Sequence, residues 1–439
     1  MTALFLIVLY CSIFYWWMNR SSFFEIKGLT KSSIYLIFLI KVAVGVSYGF
    51  IHMHYFGGGD TCLYFEASEI IYNTFLEHPS YYIQSILGEK LPMPSEDVFE
   101  YPRREIFWKD FGTYALVHLH AILHLFTFGY YSVFIVYIAI ISLYASVIFY
   151  KIFRTYLDIP KAALVFFCFF LPSLLFWTSG FHKDVFVYLG LSLLLLGITN
   201  QQTNPRKAIG SIIGGLVIVA LARYYLIALL FPATLAYWWS LHRPKHVIAN
   251  FVSVYALFSF VAIILELFVL PFSFIDVITT RQHEFLATFG NSNIEGVPAL
   301  SNSLVGILLI IPTAIVNVFC RPFLWECQDI LQFFASVEIM AFLGLIIATF
   351  VVPKKQLNPS SKPLMSFLFF YAISNLILIG ILVSNVGTIV RYRAIALGFL
   401  AMLLLNILDF QKIKIFNKTP IRKLPKNKAP KEKEEMTMV

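Results

Sequence analysis

Apolar positions run in long unbroken stretches along this 439-residue chain, with short polar links between them. Most stretches have about the 17–25 residues that carry a helix across roughly 30 Å of hydrocarbon. The pattern predicts about eleven spans, near 3–18, 32–50, 129–150, 162–178, 185–199, 208–222, 225–240, 249–270, 330–352, 364–384 and 394–409. None shows the period-two alternation of a membrane barrel. The expected fold is therefore all-α, a polytopic membrane protein. Two apolar segments, 113–127 and 303–320, are expected to lie along the outer face or to re-enter it. The first run, "TALFLIVLYCSIFYWW", is apolar enough for a signal peptide. It has no basic residues before it and no A-x-A site after it, so it is expected to be a retained span.

Basic links fix the expected orientation, because Lys and Arg in short loops mark the cytoplasmic side. Five links carry them: Arg20, Lys27 and Lys31; Lys151, Arg154 and Lys161; Arg206 and Lys207; Arg243 and Lys245; Lys354, Lys355 and Lys362. After Phe410 the tail adds nine Lys or Arg against three Glu. All six regions share one face if the N-terminus is outside and the C-terminus cytoplasmic. One integral-membrane domain is expected over 1–410, with outer loops at about 51–112 and 271–328. Residues 411–439 are expected to be a disordered tail against anionic lipid, each basic residue contributing on the order of 1 kcal/mol. No nucleic acid is needed to explain the net charge of +9.

Composition agrees: 59% of residues are hydrophobic and 13% charged, about half the charged share of a soluble domain. The five cysteines (Cys11, Cys62, Cys168, Cys320, Cys327) form no CxxC pair, so neither a zinc site nor a disulfide framework is expected. Cys320 and Cys327 are expected to be buried thiols.

With the basic links assigned to one face, the ionisable residues left for the other are few and clustered. Asp60 and Glu66 lie in "HMHYFGGGDTCLYFEASEII", His182, Lys183 and Asp184 in "SGFHKDVF", and Arg223 in "LARYYL". Arg281 and His283 lie in "TTRQHEF", Arg321 and Glu326 in "CRPFLWECQD", and Arg391 and Arg393 in "NVGTIVRYRAI". Charges at membrane ends border a wet cavity or a site, or they snorkel and pair among themselves. Asp60 begins a stretch with helical spacing and serves either as its N-cap or as a general base. Lys183 suits a phosphate as a point charge, and Asp184 can orient it or receive a hydroxyl proton. The surplus of Arg suits bidentate contact to an anionic group. His120 and His124 stand four apart like a metal pair, with His118 nearby, but no HExxH-type carboxylate accompanies them. The span interiors are poor in charge, Glu266 and Glu338 being the exceptions noted.

These segments, in this order, resemble the integral-membrane GT-C glycosyltransferase superfamily. The likeness rests on "GGGDTCLYFEAS" after an early span, "FGYYSVFIVYIAII", "LPSLLFWTSGFHKDVFVYLGLSLLLLGI" and "ALARYYLIALLFPATLAYW". "NVGTIVRYRAIALGFL" and "NVFCRPFLWE" are similar to segments of bacterial surface-polysaccharide polymerases of the O-antigen type. The likeness covers roughly residues 30–410 through short motifs. It implies that Asp60 is the catalytic base and that Lys183, Arg391 and Arg393 hold a donor phosphate. No second acidic residue adjoins Asp60, the nearest being Glu66.

The expected function is transfer of a sugar from a polyprenyl-phosphate or pyrophosphate donor to a glycan or glycolipid acceptor, with inversion, at the outer face of a bacterial inner membrane. Asp60 and Asp184 are the expected catalytic residues. Glu66, His182, Lys183, Arg223, Arg281, His283, Arg321, Glu326, Arg391 and Arg393 are the expected substrate-binding ones. Mg²⁺ held by Asp60 and the phosphate is the one cofactor this chemistry admits, and no dedicated cage is written for it. A polymerase or ligase of lipid-linked repeats would share the donor chemistry. A lipid or polysaccharide transporter would want internal repeats, and none is seen. A membrane acyltransferase would rest on His182.

Overall fold

The structure is a computed structural model that describes residues 1–80, 83, 111–201, 203–268, 273–289 and 299–413. The basic tail beyond residue 413, and the parts of the two outer loops over 84–110 and 290–298, lie outside the described residues. The chain is an all-α, multi-pass membrane protein, with no strand among the described residues. Among the described residues, ten helical segments are long and apolar enough to cross a membrane.

The helices in chain order are α1 (Thr2–Arg20), α2 (Lys31–Phe50), α3 (Asp60–Glu77), α4 (Phe111–Thr127) and α5 (Tyr131–Tyr156). Then come α6 (Lys161–Val165), α7 (Pro172–Ser179), α8 (Lys183–Asn200), α9 (Pro205–Arg223), α10 (Tyr225–His242) and α11 (Val247–Phe268). The last five are α12 (Phe274–Phe289), α13 (Leu304–Phe319), α14 (Ile330–Val351), α15 (Lys362–Leu382) and α16 (Val386–Ile407). The span expected near 225–240 is α10, which falls outside the ten. Its two Tyr, two Trp, Pro232 and His242 dilute the apolar character. The two segments expected to lie along the face or re-enter are α4 and α13, of 17 and 16 residues. All five cysteines are free thiols, and Cys320 and Cys327 are half-buried rather than buried.

The chain forms two compact units, one from Met1–Lys151 and Leu175–Ile227, the other from Ile152–Leu174 and from Ala228 on. In the first unit α8 and α9 pack tightly as a hairpin. Gly190 and Gly215 let the backbones touch: a Cβ on Gly190 would sit 2.8 Å from the Gly215 carbonyl oxygen. Small residues at a crossing are how helices associate where lipid removes the hydrophobic drive. A core of Tyr64, Ala67, Leu116, Val117, Phe134, Ile138, Phe181 and Val185 joins α3, α4, α5 and α8.

The second unit must satisfy two helix ends that fall inside apolar segments. The span Lys161–Ser179 is not one helix: α6 runs into a π turn (Phe166–Phe170), leaves helical geometry at Leu171, and restarts at Pro172 as α7. The first N–H groups of a helix have no internal partner, and hydrocarbon offers none. Glu338, about two turns into α14, supplies one. Its carboxylate accepts from the Ser173 N–H at 2.8 Å and from the Ser173 hydroxyl at 2.6 Å. At the end of α13, Nη1 of Arg393 donates to the Val318 carbonyl at 2.8 Å and to the Arg321 carbonyl. Arg393 is 2% exposed, and its charge faces Glu338. An anion at a helix start and a cation at a helix end also match the two macrodipoles.

Arg393→Met should cost about 3–5 kcal/mol of stability, since it strips Glu338 of its cation. Combined with Glu338→Met it should cost less than the sum of the two single losses. Unfolding in detergent checks this; additive losses would show that the two groups do not interact.

Candidate functional site

The twelve sequence-predicted site residues divide evenly between the two units. Asp60, Glu66, His182, Lys183, Asp184 and Arg223 belong to the first. Arg281, His283, Arg321, Glu326, Arg391 and Arg393 belong to the second.

In the first unit a local accident of backbone builds the site. The end of α2 widens into a π turn, Ile51–Tyr55. Gly57, Gly58 and Gly59 follow with φ of 66°, 149° and 125°, a run that side chains with a Cβ rarely adopt. The Gly58 N–H returns to the His52 carbonyl at 2.9 Å. The Gly59 carbonyl accepts the first helical bonds of α3 from Cys62 and Leu63. Gly59 therefore holds the capping position and Asp60 is the first helical residue, not the N-cap the spacing suggested. Its charge remains favourable there through the helix dipole. Glu66, six positions on, is exposed and projects roughly 120° around the helix from Asp60. Burial, helped by the Glu66 charge, pushes the Cys62 thiol up.

The turn brings this stretch against the "FHKD" hairpin. A Cβ on Gly59 would lie 3.3 Å from the His52 ring. His52 stacks on Tyr48 at 4.1 Å between ring centres. The Tyr48 hydroxyl bonds Nε2 of His182. Trp177 and Tyr64 also border His182, at 6.0 and 6.5 Å. His182 itself is 1% exposed and sits just ahead of α8. Lys183, half-buried, opens that helix, and Asp184 follows it. Asp184 receives Nη2 of Arg223 at 2.6 Å in a buried ion pair. His182, Lys183, Asp184 and Arg223 thus share one neighbourhood, and Gly59, the residue before Asp60, meets His52, whose ring lies 6.2 Å from that of His182.

Three further contributors were missed in the sequence. His52 and Tyr48 lie one above the other on α2, as Lys41, Gly45, Tyr48 and His52 follow a helical stripe. Lys41 is 1% exposed and donates to the Ser142 hydroxyl at 2.8 Å. Ser142 in turn bonds Thr178 at 2.9 Å, and Ser146, Tyr188 and the Ser142 carbonyl extend this polar seam. A single Lys midway through an apolar run is a visible signal, and ionisable groups at that depth mark function by default.

His120 and His124 do not converge on a metal in this arrangement. Both turn toward the Ser68 hydroxyl, His120 Nδ1 at 2.6 Å and His124 Nε2 at 3.0 Å. That hydroxyl donates to the Phe65 carbonyl at 2.7 Å, so both imidazoles must donate to it. All three residues are 0% exposed. Burial drives His120 well below the ordinary histidine range and His124 down to about 4. It also lowers His118, against a bond to the Tyr114 carbonyl that opposes the shift. Among the described residues, no three His, Cys, Asp or Glu side chains gather as a metal cage. Asp60 and Glu66 diverge around α3, and Asp184 holds Arg223.

In the second unit Arg321 pairs with Glu326 at 3.2 Å, and the Arg321 carbonyl is one of the two that Arg393 holds. Arg391 is 9% exposed and lies over Tyr392 at 5.4 Å. Arg281 pairs with Glu284 at 2.7 Å on the exposed part of α12, where His283 also lies. Arg321, Glu326 and Arg393 are thus brought together, with Glu338 and Ser173 as partners the sequence did not connect.

No protein-family model, curated protein or solved structure matches this chain.

Burial keeps the α3–α4 histidines neutral in the folded protein, whereas the unfolded chain takes up protons below about pH 6.5. Their contribution to stability is therefore complete above that pH and is lost as pH falls toward 4. The midpoint of thermal unfolding should drop across that window, by on the order of 2 kcal/mol of stability. A flat profile from pH 7 to 4 would contradict it.

Proposed function

We propose that the protein is a membrane glycosyltransferase that takes its sugar from a polyprenyl-phosphate donor at the outer face of a bacterial inner membrane. The observation that supports this reading is the Asp184–Arg223 pair beside His182 and Lys183 at the start of α8, with the glycine turn ahead of Asp60 meeting His52. A carboxylate beside a turn of three glycines, with cations close by, suits a phosphate leaving group and a hydroxyl nucleophile.

In the proposed reaction the acceptor hydroxyl oxygen attacks the anomeric carbon from the face opposite the phosphate. The new glycosidic bond forms as the bond from carbon to phosphate oxygen breaks. Asp60 takes the acceptor proton, a role worth about 10²–10⁴ in rate. The phosphate leaves with the electron pair, and its charge needs a cation rather than a proton. Lys183, half-buried at the start of α8, is the residue proposed for that contact. Arg223 orients Asp184 beside it through their 2.6 Å ion pair. The half-buried rings of His52 and Trp177 are the ones proposed to face a pyranose. No step is routed through Mg²⁺.

The test uses the full chain in vesicles, with labelled polyprenyl-phosphate sugars and a glycolipid acceptor extract. Wild type should transfer label to the acceptor. Asp60→Asn should lower turnover at least about 100-fold while donor binding stays within about twofold. Normal turnover in that variant would remove Asp60 from the chemistry. Failure of the wild type with every polyprenyl-phosphate sugar would remove the transferase reading itself.

A further inference from the structure

A polar cavity lies in the second unit, among helix ends. It has a volume of about 250 Å³ and is lined by Asp158, Lys354, Lys355, Gln356, Asp409 and Gln411, among others. Its walls are built, not draped. The link after α14 is tied to the end of α16 by the Lys354 N–H on the Ile407 carbonyl at 2.8 Å and the Asp409 N–H on the Val352 carbonyl at 2.9 Å. The Asp158 N–H bonds the Asn406 side chain at 2.8 Å. Lys354 crosses to the Asp158 carbonyl at 2.6 Å and its carboxylate at 3.1 Å.

The lining carries two cations, Lys354 and Lys355, and two carboxylates, Asp158 and Asp409. Lys354 is committed to Asp158, and Asp409 stands 3.7 Å from Lys412, outside the lining. Lys355 is the cation of the lining that no carboxylate pairs with among the described residues. Gln356 and Gln411 add amide donors. The location narrows the ligand further: the cavity opens where three predicted spans begin or end, at Lys161, Val351 and Ile407. That is the level at which lipid headgroups lie.

We propose that this cavity binds a phosphate monoanion or diester, with Lys355 as its principal cation and the two glutamine amides as donors. A phospholipid headgroup and free phosphate share this chemistry. Room for a phosphate and several further atoms, beside the ends of membrane helices, favours the headgroup of an anionic phospholipid. The proposal is independent of the transferase reading, because none of these residues takes part in it.

The experiment is native mass spectrometry of the full chain in detergent, titrated with phosphatidylglycerol and separately with inorganic phosphate. It is paired with a photoreactive phosphatidylglycerol whose crosslinks are mapped by peptide. Phosphatidylglycerol should be retained and should label residues 354–356 or 409–411. Lys355→Gln, at an exposed position, should weaken retention about fivefold. Asp409→Asn, which removes a repelling carboxylate, should strengthen it. Competition by millimolar phosphate would show that the phosphate group alone is read; retention despite it would assign the site to lipid. Unchanged retention in Lys355→Gln, or labelling only elsewhere, would overturn the proposal.

Discussion

A chain in hydrocarbon cannot leave a backbone polar group to water, and two helix ends of this protein are closed by charged side chains from other helices. The Glu338–Ser173 and Arg393–Val318 contacts answer that constraint. One carboxylate closes the start of α7, one guanidinium closes the end of α13, and their charges face each other. Neither ion would be tolerable alone at that depth; together, and each on an oppositely polarised helix end, they cost far less. A single guanidinium nitrogen, Nη1 of Arg393, holds both carbonyls at the end of α13.

The first unit solves a different problem with the same means. Its close helix pair, α8 and α9, rests on glycines rather than on large apolar side chains. Close packing of the two brings Asp184 of one helix start and Arg223 of the other helix end into direct contact. The glycine turn does the equivalent for Asp60. By wrapping back onto His52, it places the head of α3 beside a ring stack that would otherwise end at Tyr48. The geometry of this end thus follows from backbone freedom at three adjacent positions and from two points of close helix approach.

How much of this was legible in the sequence varies with the range of the interaction. Spans are local: apolar length alone marks them, and α10 differs only because Tyr, Trp, Pro and His thin its apolar content. The charged clusters were also legible, since each is a short contiguous segment. Pairing was not. Asp184 meets Arg223 across 39 positions, and Glu338 meets Ser173 across 165; no periodicity reports contacts between helices. The cap at α3 went to Gly59 because a backbone carbonyl serves the purpose when the preceding glycines can turn it inward. His120 and His124 carried the spacing of a metal pair, yet a serine hydroxyl on the facing helix uses that same spacing. Lys41 was readable as a lone charge in an apolar run, and only its hydroxyl partners were out of reach.

These pairings bear on which cations serve a ligand. A guanidinium bound to two carbonyls and facing a carboxylate has little left to offer a phosphate, and moving it would reopen two helix ends. Arg393 is in that position, and Arg321 is tied to Glu326. The wealth of arginine that suggested an anionic ligand is therefore in good part the means by which the fold tolerates interrupted helices. A phosphate is better served by lysines near helix termini, Lys183 at the head of α8 and Lys355 beside the α16 end. Both lie where a flexible stem can carry an ammonium to the ligand without disturbing a helix terminus.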